Sequence, residues 1–125
     1  MQLYGAINSG AAVGADGAAT VDKTTLHKLC GKMSAIYVKY NGDKPATTDV
    51  TIKTAGTNAP SVTFLTLTNK NTDGWFFPRM IPDDLVGVDL AALVVAEPIP
   101  FDDYVTISVA QSNTDDTVDV YLLIE

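Results

Sequence analysis

The stretch YVTISVAQSNTDDTVDVYLLIE, residues 104–125, decides the fold class. Val105, Ile107 and Val109 occupy every second position. Then comes a polar run, Gln111 to Asp116, and Val118, Val120, Leu122 and Ile124 resume the alternation. A period of two belongs to a strand with one face on a core and the other in water. The polar run between reads as a turn, because Asn, Asp and Ser satisfy their own backbone locally.

The same signature recurs upstream. Lys32 to Tyr40 (KMSAIYVKY) places Ile36, Val38 and Tyr40 on one face and stops at Asn41-Gly42-Asp43, a strong turn signal. Thr48 to Thr54 alternates through Val50 and Ile52. Ser61 to Thr68 is rich in Thr and β-branched residues, which suit a half-buried pleat. Trp75-Phe76-Phe77 reads as a short aromatic strand cut by Pro78, with Trp75 and Phe77 alternating into the core. Thr24 to Cys30 fits a strand or one helical turn. Leu85 to Ala96 fits a strand, or a loop with a short helix and then a strand. Short strands at intervals of about 8–12 residues indicate an all-β domain. The expected architecture is a single antiparallel β-sandwich, jelly-roll-like.

Residues 5–19 (GAINSGAAVGADGAA) lack periodicity and large side chains, so they bury little area. The expectation is a Gly/Ala-rich N-terminal arm or long loop over residues 1–22, followed by the sandwich domain over 23–125. Such an arm can order on a partner.

At 125 residues the chain is the size of one domain and can bury a core without disulfides or metals. Its single cysteine, Cys30, allows no internal disulfide. The net charge of −7 argues against direct nucleic-acid binding and against an anionic membrane surface, since phosphate recognition needs clustered Lys and Arg. The seven Lys are scattered, and Arg79 is the one arginine. The N-terminus carries no basic segment followed by an apolar stretch, so no signal peptide is expected. The longest apolar run, Leu90 to Ala96, is too short to cross a bilayer. These features suggest synthesis in a cytoplasm.

Chemistry-bearing motifs are sparse. His27 is the sole histidine, so any Ser-His-Asp or Cys-His arrangement would have to use it. A surface histidine is the simpler reading. Zinc would need four Cys or His ligands, and the chain offers two. The acid pairs Asp83-Asp84, Asp102-Asp103 and Asp115-Asp116 fall at turns, where carboxylates cap backbone N–H groups. The first two pairs would be the candidates for calcium. The expectation is a protein without catalytic residues, bound metal or cofactor.

The most distinctive segment is DGWFFPRMIP, residues 73–82, with three aromatics and the sole arginine. Aromatics and Arg are enriched at binding hot spots. Arg79 could pair with a nearby Asp or with an acidic partner. Candidate partner-binding residues are therefore Trp75, Phe76, Arg79 and Met80, with Tyr4, Ile7 and Val13 from the arm. A carbohydrate-binding module would instead use Trp75, Phe76 and Tyr104 as stacking surfaces.

The succession of small-residue arm, AIYVKYNG, TDVTIKT, SVTFLTLTN, NTDGWFFPRM, DDYVTISVAQSN and TVDVYLLIE resembles the capsid decoration (cement, or head-stabilisation) proteins of tailed bacteriophages, over roughly residues 32–125. The resemblance implies a compact, jelly-roll-like structural protein of the virion. It would bind the major capsid protein on the shell's exterior as a dimer or trimer and be made in the host cytoplasm, with no direct nucleic-acid or membrane partner. It brings no catalytic residues. A tail, baseplate or head-fibre component is the alternative virion role.

Overall fold

The computed structural model describes residues 1–57, 59–83, 85–90 and 96–125. Among them there is no helix. Nine strands run in chain order: β1 (Gln2–Asn8), β2 (Ala19–Thr24), β3 (Leu29–Asn41), β4 (Asp49–Thr54), β5 (Thr63–Leu67), β6 (Gly74–Phe76), β7 (Ile99–Asp103), β8 (Val105–Ser112) and β9 (Thr117–Ile124). They form two antiparallel sheets packed face to face, a β-sandwich. One has the order β1-β9-β3-β6, with β7 also on β3. The other has the order β2-β8-β4-β5.

Alternation does the sorting. In β9 each even-numbered residue from Val118 to Ile124 is buried, and each odd-numbered neighbour is partly exposed. β8 buries Val105, Ile107 and Val109, and β4 buries Val50 and Ile52. These side chains meet Ile36, Val38 and Met33 of β3 in one core between the sheets. Burial of apolar area there is the main driving term. The long strand β3 holds the larger sheet together. Met33–Asn41 lies along β9, Leu29–Met33 pairs with β7 on the other edge, and Ile36–Val38 pairs with β6 beyond it.

Two expectations change. The segment 1–22 is not uniformly an arm. β1 is paired along β9 from Gln2↔Ile124 to Asn8↔Asp119, and β2 is paired along β8. Only residues 9–18 form a long loop, and Ser9 and Ala12 fasten it to the backbone at Val118 and Asp116. Pairing with a buried neighbour supplies what the small side chains cannot. At Thr24–Cys30, β2 ends, a bend follows, and β3 begins at Leu29.

Two buried carboxylates fix the loop ends. Asp116 accepts from the Asp43, Lys44 and Asn113 amides and from the Ser112 hydroxyl. Gly42, at φ +94°, abuts that carboxylate so closely that a Cβ would collide with it. Asp103 accepts from the Gly56, Thr57 and Tyr104 amides and from the Thr57 hydroxyl. The Thr57 hydroxyl first, then the three amides, hold its carboxyl below the usual carboxylate range, against the opposing effect of desolvation.

Candidate functional site

The connection from β6 to β7 concentrates the exposed apolar surface. The chain leaves the larger sheet after Phe76 and returns at Ile99. Met80 and Glu97 close the base of this excursion with reciprocal backbone hydrogen bonds of 2.8 and 3.0 Å. Asp83 and Asp89 form a second antiparallel bridge, and the Leu90 amide donates to the Pro82 carbonyl at 3.0 Å. The Asp83 carboxyl is raised above its ordinary range, chiefly by a side-chain hydrogen bond with Asp89. Two facing carboxyls share a proton more easily than they both ionise.

Within this excursion Phe77, Ile81, Leu85, Val86, Val88 and Leu90 are all exposed, from 39% at Leu90 to complete exposure at Leu85. Of Leu85–Ala96, expected as a strand or as a loop with a short helix and then a strand, residues 85–87 form a turn and 91–95 lie outside the described residues.

The sequence-selected residues separate. Trp75 is on the outer face of β6 and 49% exposed, and Phe77 is 64% exposed. Phe76 is the aromatic that turns inward and packs against the core. This reverses the expected alternation. Phe76 is opposite Ile36, a core residue of β3, and pairing sets the face. Pro78 is buried. The Arg79 guanidinium donates to the Ser34 and Pro78 carbonyls, 2.7 Å each, so backbone oxygens orient it. Met80, Tyr4 and Ile7 are half-buried against the core, and Val13 is exposed beside its bridge to Thr20. Trp75, Arg79 and Val13 are thus accessible, whereas Phe76, Met80, Tyr4 and Ile7 largely serve packing.

Missed by sequence reasoning is a row of rings across the outer face of the larger sheet. Tyr37 of β3 is opposite Trp75 on one side and Tyr121 of β9 on the other. The Tyr37–Trp75 ring centroids are 5.2 Å apart at 58°, and Tyr37–Tyr121 are 6.0 Å apart at 64°. Gly5 of β1 closes the row: a Cβ there would lie 2.5 Å from the Tyr121 ring. The odd-numbered positions of KMSAIYVKY and TVDVYLLIE held the signal. It was invisible because strand neighbours were unknown.

Elsewhere, His27 lines a cleft of about 390 Å³ between the β1 edge and the β2–β3 bend, with Tyr4, Ile7, Lys23 and Leu26. Cys30 is exposed on β3. Among the described residues no three metal-ligating side chains converge. Asp102 pairs with Lys28 at 3.3 Å, Asp103 holds the loop at 56–57, Asp83 faces Asp89, and Asp84 lies outside the described residues. Among the described residues no helix is long and apolar enough to cross a membrane.

Comparison with protein-family models, with curated proteins and with solved structures finds no match.

Proposed function

We propose that this chain is a structural protein of a virus particle that binds the outside of the shell and stabilises it across coat-subunit seams. The observation that carries this reading is the β6–β7 excursion: Ile81, Leu85, Val86, Val88 and Leu90 are exposed within the loop that Met80 and Glu97 close, and Phe77 is exposed on its stem. Burying such a side chain is worth about 1.5–3 kcal/mol, so a loop of this kind has much to gain from a partner. Contiguous exposed apolar surface marks docking sites. At the loop's root, Arg79 is tied to the Ser34 carbonyl of β3.

Three further features support the reading. The strand order β1-β9-β3-β6 over β2-β8-β4-β5 fits the jelly-roll expectation, an architecture found in viral capsid and lectin domains, although fold alone does not dictate role. The net charge of −7 suits a position outside packaged DNA. Association that adds buried area only in the assembled shell stabilises it by mass action. The partner would be the major capsid protein, and self-association into dimers or trimers would match shell symmetry.

The test is reconstitution on shells stripped of the protein. Wild type should rebind in saturable fashion. The pair Leu85→Asp with Val86→Asp should fold normally and lose binding. Undiminished binding by that pair would overturn the assignment of the loop.

A further inference from the structure

We infer that the aromatic row on the outer face of the larger sheet is a binding site for a neutral oligosaccharide, distinct from the apolar loop. Leu3, Tyr37, Lys39, Trp75 and Tyr121 line a depression of about 500 Å³. That size is typical of a small-ligand pocket, at about 300–1,000 Å³.

The chemistry of this face has two parts, one lining the depression and one beside it. The first is the row Tyr121–Tyr37–Trp75, which crosses three adjacent strands, about 10 Å in all. The second is a polar row two residues further along the strands, an advance of about 7 Å. There Asp119 is opposite Lys39 of β3 and Asn8 of β1. The Asn8 amide donates to Asp119 Oδ1 at 2.7 Å and the Asn41 amide to Oδ2 at 3.0 Å. The two amides fix the carboxylate in place while each oxygen keeps a second lone pair for an incoming hydroxyl.

A pyranose ring has an apolar face of C–H bonds and a rim of hydroxyls. The ring row meets the first, and the Asn8–Asp119–Asn41 ladder with Lys39 meets the second. Among the described residues Lys39 makes no ion pair, and the Trp75 indole N–H and the Tyr37 and Tyr121 hydroxyls have no hydrogen-bond partners. Those donors are available to a ligand.

Electrostatics selects a neutral sugar. One Lys and one Asp cancel at the rim, and the chain as a whole carries −7, so an acidic saccharide gains no attraction. The rings are tilted 58° and 64° to one another, so they do not form one flat table. They grip the end of a soluble chain about a disaccharide long.

Trp75 is the only tryptophan, so its emission reports on the site alone. The full chain is titrated with neutral hexose and N-acetylhexosamine di- to tetrasaccharides, followed by fluorescence and calorimetry. The expected result is a saturable shift at millimolar concentration or below with at least one of them. By calorimetry, Trp75→Ala and Asp119→Ala should each weaken binding by about tenfold or more, as loss of a hot-spot contact does, and Trp75→Phe should retain most of it. Rebinding of stripped shells by Trp75→Ala should equal wild type. The inference is overturned if no neutral saccharide gives a saturable signal, if Trp75→Ala binds as wild type does, or if Trp75→Ala loses shell binding instead.

Discussion

Tyr40, Asp103 and Asp116 show how single side chains are held here, and each gives a distinct expectation. The Tyr40 hydroxyl is buried and has no hydrogen-bond partner among the described residues. Burial, with Asp73 and Asp49 nearby, pushes its pKa up to about 12. A buried hydroxyl without a partner is a liability, so Tyr40→Phe should leave stability unchanged or raise it by about 1 kcal/mol in urea unfolding. A loss larger than that would mean that the hydroxyl has a partner. Asp116 is the opposite case, since four donors converge on it from two loops. Asp116→Ala should cost about 2–4 kcal/mol, because it strands buried amides at both loops. For Asp103 the folded pKa lies below the unfolded one. Its contribution is therefore present above the ordinary carboxylate range and is lost as pH falls through the lowered value. Asp103→Asn should flatten the acid limb of a stability–pH curve, and an unchanged limb would mean that other carboxylates govern it. The capping of turn amides by the acid pairs is legible in sequence, but which member of each pair does it is not. Asp102, Asp103, Asp115 and Asp116 look alike there, and only the fold makes Asp103 and Asp116 loop anchors while Asp102 makes an exposed pair with Lys28.

At the scale of elements, β4, β8 and β9 could be read directly, because each alternates cleanly between core and water. β1 and β7 could not. β1 is built of small residues, and its Gly5 serves to clear the Tyr121 ring, a long-range requirement with no local trace. β7 (IPFDD) carries Pro100, which reads as a loop but is tolerated because, among the described residues, β7 pairs on one side only, with β3. The aromatic triplet 75–77 was ambiguous by one residue, which in a strand exchanges inside for outside. Since β1 is part of the sheet, deletion of residues 2–8 should lower thermal stability markedly, exposing the β9 edge and the core beside Tyr4 and Ile7. If the deleted protein melts at the wild-type temperature, β1 is a dispensable arm after all. The β6–β7 excursion behaves differently. Substitutions at Leu85 and Val86 touch a part of the chain outside the core cluster, so the melting temperature should hold while docking fails.

For the whole molecule, the sandwich presents two dissimilar surfaces: the apolar loop between β6 and β7, and the ring row on the outer face of β9, β3 and β6. The core is built from other residues: none of the exposed apolar residues of the loop and none of the three rings belongs to it. That separation is what a small protein requires if it is to clamp a larger assembly and still offer a second face to its surroundings. The sequence resemblance suggests the assembly role that we propose, and the exposed apolar loop is the feature of the fold that supports the proposal. The most direct test is the copy number of this protein in washed virus particles purified from its source, by quantitative mass spectrometry against the major coat protein. A shell-binding role requires a simple stoichiometric ratio to the coat protein, lattice-wide and retained through washing. Absence from the particles would contradict it.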